Sequence, residues 1–160
     1  MSKLSDLAEE IATILKERGE TVAVVETSGG GLISAALLAV PGASAYYVGG
    51  AVTYTGTARD AFLGIDLNDH PGIRSASEPY ASLIAATVRE KLDTTWGISE
   101  TGASGPTGNG YGDAAGHTCV AVSGQTDRVM TLETGLSDRE TNMTLFAERC
   151  LEQFVEALNP

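Results

Sequence analysis

The sequence is short of cysteine, of basic residues and of long apolar runs, and each shortage excludes a class of protein. Its two cysteines, Cys119 and Cys150, lack the C-x-x-C spacing of metal and redox sites. We expect both to be reduced, buried thiols of a cytoplasmic protein. The most apolar run, Leu32 to Val40, is far too short to span a bilayer, and charged residues interrupt residues 1–20 where a signal peptide would be apolar.

Basic residues are outnumbered by acidic ones. The chain has 10 Lys and Arg against 21 Asp and Glu, which gives a formal net charge of -11. Nucleic acids and anionic membrane surfaces require a basic footprint, so we expect neither as a partner. A phosphate on a ligand would have to be held by backbone N–H groups and one or two arginines.

The remaining composition is that of a folded protein, with 42% hydrophobic and 19% charged residues. The length of 160 residues fits one domain, residues 1–160, with its own core. Asp66, Asp69 and His70 could be imagined as metal ligands. The chain has no second cluster of ligands, so we predict a solvated loop there and expect neither a metal nor a cofactor.

Apolar periodicity predicts helices and strands in mixed order. The predicted helices cover about residues 5–18, 32–40, 57–63, 78–92 and 139–158, and the predicted strands about 21–25, 96–99, 118–123 and 128–134. Residues 45–55 fit either a hairpin around Gly49-Gly50 or one strand with a glycine bulge. Residues 100–117 are predicted to form a long loop. The fold class is therefore α/β, a three-layer α/β/α sandwich with a mixed, partly antiparallel sheet.

The first strand leads into a conspicuous turn. The apolar run Val22 to Val25 is followed by Glu26, Thr27, Ser28 and three glycines, and a helix begins at Leu32. The N–H groups of a first helical turn have no partner within the helix and point into such a turn. The G-x-G-x-x-G, G-x4-G-K-[ST] and G-x-S-x-G motifs are all absent. A functional site and an ordinary glycine-rich turn both remain open.

Three segments of the sequence stand out by their glycines and hydroxyl side chains: Glu26 to Gly31, Gly50 to Arg59, and Thr101 to Pro106. With Pro41 to Ala45 and Ser77-Glu78, they resemble the CinA C-terminal domain family, which includes the nicotinamide mononucleotide deamidases. The order and spacing match over about residues 5–155. Longer members of that family carry an N-terminal domain similar to cofactor-binding domains. The sequence here resembles the stand-alone form.

The resemblance implies an amidase with altered key residues. The family serine, its nucleophile, corresponds to Thr27, and the family lysine, a general base or activator, corresponds to Arg59. The family threonine corresponds to Gly29, and a second family arginine has no counterpart at residues 142–144. Arginine keeps its proton because its pKa stays above ~12, so Arg59 cannot act as a base. Glu26 is then the nearby residue predicted to do so.

The implied reaction is hydrolysis of the carboxamide of nicotinamide mononucleotide, or of a close relative, with release of ammonia. Thr27 would attack, Glu26 or a water would relay the proton, and Arg59 would stabilise the oxyanion or phosphate. The predicted substrate-binding residues are Ser28, Gly29, Gly30, Gly31, Tyr54, Thr101, Gly102 and Arg139. The N–H groups of residues 29–31 would form an oxyanion or phosphate cradle. The alternative is a module that binds a phosphorylated small molecule without turnover.

The histidines and tyrosines support two further predictions. His117 is interpreted as a loop or core histidine, because the sequence offers no Ser/His/Asp arrangement. Tyr46 and Tyr47 are adjacent in a β-like run and point to opposite faces. One can enter the core, and the other either lies under the second helix or needs a partner subunit. Since tyrosine is favoured at interfaces, we predict a homodimer or higher homo-oligomer.

Overall fold

The computed structural model describes residues 2–160 and has one five-stranded sheet at its centre. The strands lie in the order β2-β1-β3-β4-β5, with β1 parallel to β2 and β3, and with β4 and β5 antiparallel to their neighbours. The strands are β1 Val22–Glu26, β2 Tyr47–Val52, β3 Trp96–Ala103, β4 His117–Ser123 and β5 Arg128–Glu133. The helices are α1 Lys3–Arg18, α2 Leu32–Leu38, α3 Gly56–Leu63, α4 Glu78–Leu92 and α5 Arg139–Leu158.

Helices cover both faces of the sheet. On one face α1, α2 and α5 pack against Val22 and Val24 of β1, and on the other face α4 packs against Ala23 and Val25. All four side chains are fully buried. A central strand covered on both sides reads as a continuous apolar run, which is the pattern that the sequence shows. The predicted three-layer α/β architecture with a mixed sheet is confirmed.

Residues 45–55 contain one strand, β2, and no hairpin. Val22 pairs with Tyr47 and Ala23 pairs with Gly49, so Val48 is the extra residue of a bulge. A Cβ at Gly50 would lie 2.8 Å from the Val24 carbonyl oxygen of the neighbouring strand. The glycines thus allow close approach of β2 to β1, and they do not mark a chain reversal.

The prediction that residues 100–117 form one loop is wrong at both ends. Residues 100–103 continue β3, because they pair in register with residues 120–117 of β4. The loop is therefore residues 104–116, and His117 opens a strand. Helix α2 also ends two residues earlier than predicted, at Leu38. Pairing between two distant segments decided the strand boundary, and local sequence does not show such pairing.

Cys119 and Cys150 are both free and buried, as predicted. Burial raises the pKa of the Cys150 thiol well above its usual value, which keeps it protonated and unreactive. Within residues 2–160, no helix is long and apolar enough to cross a bilayer. In the same range, no group of three His, Cys, Asp or Glu side chains is placed to hold a metal ion.

Candidate functional site

Two adjoining cavities lie where the parallel strands β1, β2 and β3 end. Their volumes are about 120 and 300 Å³, and their walls share Tyr54, Gly102 and Asn109. The carboxyl edge of parallel strands is the usual binding edge of an α/β sheet, because loops of both helical layers diverge there. The smaller cavity is lined by Thr27, Arg59 and Thr101 among others, and the larger by Ser28, Gly102 and Arg139. Seven of the predicted site residues therefore line one divided cleft, whereas Glu26 and Gly29 to Gly31 line neither part of it.

Glu26 is held by the start of helix α2. Its buried carboxylate accepts hydrogen bonds from the backbone N–H groups of Gly31 at 3.1 Å, Ile33 at 2.9 Å and Ser34 at 3.0 Å. A negative charge is stabilised there by the unpaired N–H groups and by the helix dipole. The geometry gives Glu26 the role of a helix anchor and does not support its predicted role as proton relay.

The three glycine N–H groups are also occupied. Gly29 donates to Glu100 Oε1 at 2.6 Å, Gly30 to the Thr27 carbonyl at 3.2 Å, and Gly31 to Glu26. The three groups predicted to form a cradle for a ligand's oxyanion or phosphate are thus engaged within the protein in this structure. The protein's own carboxylates and a backbone carbonyl fill the positions that a ligand would take.

Glu100 is the principal residue that sequence reasoning missed. It is completely buried in β3 and accepts from Thr27 N–H at 3.2 Å, Gly29 N–H and Thr118 Oγ1 at 3.0 Å. The Ser28 hydroxyl donates a hydrogen bond to its second oxygen, Oε2. Burial raises the pKa of Glu100, although these four donors act in the opposite direction.

Gly29 lies between the carboxylates of Glu26 and Glu100. A Cβ at Gly29 would be 2.9 Å from Glu100 Oε1 and 3.1 Å from Glu26 Oε1. The two strands place these glutamates side by side, since Glu26 and Glu100 are register partners. The threonine implied by the family resemblance does not fit at residue 29 while Glu100 keeps this position.

Thr27 forms its hydrogen bonds through its backbone, whereas Thr101 uses its side-chain hydroxyl. The hydrogen bonds of Thr27 are made by its backbone, whose N–H donates to Glu100 and whose carbonyl accepts from Gly30. The Thr101 hydroxyl accepts from the N–H of Ala76 at 3.1 Å. Thr101 therefore fixes the segment before α4 as well as lining the smaller cavity.

His117 holds the other side of the same peptide segment. Its Nε2 donates to the Ala76 carbonyl at 2.7 Å, and its Nδ1 lies 2.5 Å from Glu133 Oε1. Burial lowers the pKa of His117, but the Ala76 carbonyl, Glu133 and Asp113 outweigh it and leave the pKa raised. His117 is thus a buried structural histidine, in agreement with its interpretation as a loop or core residue.

We expect Glu133→Gln to destabilise the protein more at pH 6 than at pH 9. The folded-state pKa of His117 is raised, so its contribution to stability is complete below the unfolded value of about 6.5 and is lost as pH rises through the folded value. Because Glu133 is half exposed, the effect at pH 6 should be about 1 kcal/mol or less. Urea unfolding at both pH values measures it, with exposed Glu9→Gln as the control. An equal loss at both pH values would contradict the assignment.

The two arginines of the cleft are both partly engaged. Arg59 Nε donates to Asp60 at 3.0 Å and, more weakly, to the Ile65 carbonyl at 3.4 Å. Burial lowers the pKa of Arg59, while Asp60 and Tyr80 outweigh it and leave the pKa raised. Arg139 donates to the Gly105 carbonyl at 2.5 Å and to the Tyr54 hydroxyl at 3.0 Å. Both remain cations in the cleft wall.

The fold and the cleft define a class: a three-layer α/β domain with a hydroxyl-lined polar cleft at the carboxyl edge of its parallel strands. Comparison with known protein families identifies the family within this class. The family model described as the CinA C-terminal domain matches residues 4–158, and the chain belongs to that family.

Relatives and solved structures agree with this membership. A CinA-like protein of Salinibacter ruber is 37% identical over 142 residues, which are 87% of this chain and 34% of that protein. A CinA-like protein of Synechococcus sp. is 35% identical over 74% of this chain and 28% of its own length. The chain thus spans about a third of the length of the curated relatives that it matches.

Among solved structures, the competence/damage inducible protein CihA from Agrobacterium tumefaciens has a TM-score of 0.89 and 26% identity, covering 100% of this chain and 98% of that one. A competence or damage-inducible protein from Enterobacter asburiae has a TM-score of 0.91 at 24% identity, covering 99% of both chains. The second likeness is one of fold alone.

Proposed function

We propose that this protein hydrolyses the carboxamide of nicotinamide mononucleotide, or of a close relative, to the carboxylate and ammonia. The observation that carries the proposal is the divided cleft, in which adjacent hydroxyl residues, Thr27 and Ser28, are accompanied by an arginine in each part. A hydroxyl is needed to attack the amide, and a guanidinium suits a phosphate. Membership of the CinA family supports the same reading.

The chemistry of the cleft walls supports one placement of the substrate. The attacking hydroxyl comes from the turn after β1, where the family resemblance points to Thr27. The phosphate would meet Arg139 or Arg59, and Tyr54 and Thr101 would flank the ring and ribose. The reaction would run in the cytoplasm, in keeping with two free, buried cysteines.

The test is ammonia release from purified protein incubated with the mononucleotide. We expect turnover well above that of a Thr27→Val/Ser28→Ala double variant, and slower turnover of free nicotinamide, which lacks the phosphate. The double variant must keep the wild-type circular dichroism spectrum. Ammonia release no faster from the wild-type protein than from the double variant would refute the proposal.

Arg139→Gln is expected to raise KM for the mononucleotide about tenfold or more with a smaller change in kcat. A charged hydrogen bond to phosphate contributes about 1.5–3 kcal/mol, and its loss should weaken ground-state and transition-state binding alike. Steady-state kinetics measure both constants. Arg128→Gln, on the distant edge strand β5, is the matched control. An unchanged KM would place the phosphate elsewhere.

A binding module without turnover is the second candidate. It is favoured by the state of the predicted catalytic residues, because Glu26, the predicted base, is engaged by three N–H groups at the start of α2, and Arg59 cannot accept a proton in its place. Calorimetry with the mononucleotide separates the two functions when it is run beside the ammonia assay. Binding heat without ammonia supports the module, and measurable turnover excludes it.

We also propose that the protein forms a homodimer through the edge strand β2. Both tyrosines of the sequence argument are satisfied within the chain, since Tyr46 bonds the Leu37 carbonyl and Tyr47 bonds Ser34 at 2.8 Å. The support comes instead from apolar side chains around β2, where Val48 is 50% and Phe62 64% exposed. An edge strand beside exposed apolar groups is a pairing surface.

Light scattering at micromolar concentration checks the dimer. We expect about twice the 16.5 kDa of one chain, and a shift towards 16.5 kDa in Phe62→Asp. The matched control is Leu136→Asp, which places the same charge at another exposed apolar residue. A wild-type mass near that of one chain would exclude the dimer.

A further inference from the structure

We propose that Ser28 is the nucleophile of the hydrolysis and that the Glu100 carboxylate is its general base. This inference rests on the proposed function and identifies which residues would perform it. The juxtaposition that carries it is direct: the Ser28 hydroxyl donates to Glu100 Oε2 while Ser28 lines the 300 Å³ cavity. A hydroxyl with its proton aimed at a carboxylate is the arrangement that nucleophilic attack requires.

Glu100 is fixed in position to act on that proton. Its Oε1 is held by the N–H groups of Gly29 and Thr27, and Oε2 also accepts from Thr118 Oγ1. The carboxylate therefore cannot rotate away from Ser28. Burial raises the pKa of Glu100 in the direction of neutral pH. A higher pKa makes the carboxylate a stronger base.

Thr27 lacks such a partner. Its bonds to Glu100 and Gly30 are made by backbone atoms, and no described residue accepts a proton from its hydroxyl. Glu26 lies against the start of α2, and Arg59 keeps its proton at any accessible pH. The residue that aligns with the family nucleophile is thus without a base, and its neighbour has one.

Ser104 supplies a donor for the developing oxyanion. Ser104 is buried and lines the same cavity as Ser28, and its hydroxyl has no hydrogen-bond partner within residues 2–160. An unpaired buried hydroxyl is costly unless a ligand satisfies it. The Asn142 side chain holds the Ser104 carbonyl at 2.8 Å and so fixes this loop. Ser104 would donate to the carbonyl oxygen as it becomes an oxyanion.

The steps balance without a further reagent. Ser28 Oγ attacks the carboxamide carbon, its proton passes to Glu100, and the carbonyl electrons move to the oxygen. The C–N bond then breaks as Glu100 returns the proton to nitrogen, which leaves ammonia and an acyl ester on Ser28. Water attacks the ester, Glu100 takes the water proton, and cleavage of the C–O bond returns that proton to Ser28 Oγ. One amide and one water give one carboxylic acid and one ammonia.

A fluorophosphonate probe tests the pair without the mononucleotide. Attack by Ser28 forms a P–O bond and expels fluoride, and mass spectrometry of the turn peptide locates the adduct. We expect labelling at residue 28 in the wild-type protein and in Thr27→Val. In Glu100→Gln the labelling rate should fall about 100-fold or more, the usual contribution of a general base. Labelling at Thr27, no labelling at Ser28, or an unchanged rate in Glu100→Gln would overturn the assignment.

The pH dependence of the labelling rate shows whether Glu100 acts as a base or only as a structural contact. This test uses the wild-type protein, so it does not depend on the stability of Glu100→Gln. The groups that face the carboxylate are Ser28, Thr118 and the N–H groups of Thr27 and Gly29, with Glu26 and Cys150 nearby. The wild-type labelling rate should fall as pH drops through the raised pKa of Glu100, because a protonated carboxyl cannot accept the proton. A rate independent of pH between 4 and 8 would overturn the role of Glu100.

Kinetics with the mononucleotide distinguish this inference from the proposed function. If the protein releases ammonia, kcat should fall about 1000-fold in Ser28→Ala and about 100-fold in Ser104→Ala. Thr27→Val should lose far less than Ser28→Ala. If Ser28→Ala still releases ammonia, Ser28 is not the nucleophile, but the proposed hydrolysis remains supported. If Ser28 is labelled but no ammonia is released, the mononucleotide is not the substrate, but Ser28 and Glu100 remain assigned as nucleophile and base.

Discussion

Glu26→Ala is expected to lower the free energy of unfolding by about 3 kcal/mol, because one buried and two partly buried N–H donors lose their acceptor together. Helix α2 has only seven residues and cannot be stable without tertiary support. The carboxylate also opposes the positive end of this helix. The loss should therefore exceed that of an ordinary surface carboxylate by several kcal/mol.

Urea unfolding followed by circular dichroism measures this loss. Glu10→Ala is the matched control, since Glu10 is exposed on α1 and its removal should change stability by at most about 0.5 kcal/mol. Glu26→Gln keeps the size of the side chain and should retain part of the stability. A loss in Glu26→Ala no larger than in Glu10→Ala would show that the carboxylate does not anchor α2.

The position of Glu26 could be predicted from the sequence, but its role could not. An apolar run followed by a carboxylate, two hydroxyls and glycines places these groups at the end of a strand, where the structure has them. The same pattern fits a carboxylate that faces a ligand and one that faces the following helix. Backbone torsions in the glycine turn decide between them, with φ of +70° at Gly30 and +105° at Gly31.

Glu100 was missed for a different reason. Its neighbours Thr101 and Gly102 are typical of a loop, and the strand continues there only because β4 pairs with it. The parallel register then sets Glu100 beside Glu26 on the adjacent strand. A signal was present, since a second glutamate follows the buried run Trp96 to Ser99 as Glu26 follows Val22 to Val25. Long-range pairing is required to interpret it.

The periodic helices, in contrast, were predictable because their signal is local. Helix α5 has the predicted bounds, and α4 begins after Ser77 with Pro79 in its first turn. The residue of α5 that faces the glycine turn was not predictable in this way. Met143, in the stretch where the family resemblance leads one to expect an arginine, has its methyl carbon 2.7 Å from the Cβ position of Gly30. It closes this side of the turn with an apolar group.

Gly102→Ala is expected to cost about 3 kcal/mol of stability and to disturb the cleft. A Cβ at Gly102 would lie 2.3 Å from the His117 carbonyl oxygen and 2.7 Å from Thr118 Cα, both backbone atoms of β4. Backbone cannot move aside as a side chain can, so β3 and β4 must separate. Thr118, a donor to Glu100, would move with β4.

Thermal and urea unfolding measure the loss in Gly102→Ala, and fluorophosphonate labelling of Ser28 reports on the cleft. Gly110→Ala is the matched control, because a Cβ there meets nothing within 4 Å and should leave stability nearly unchanged. We expect slower labelling in Gly102→Ala, since displacement of Thr118 loosens the hold on the Glu100 carboxylate. If Gly102→Ala has wild-type stability, β4 can move away at this point without cost. In that case the close approach of β3 and β4 does not fix Glu100 beside Ser28.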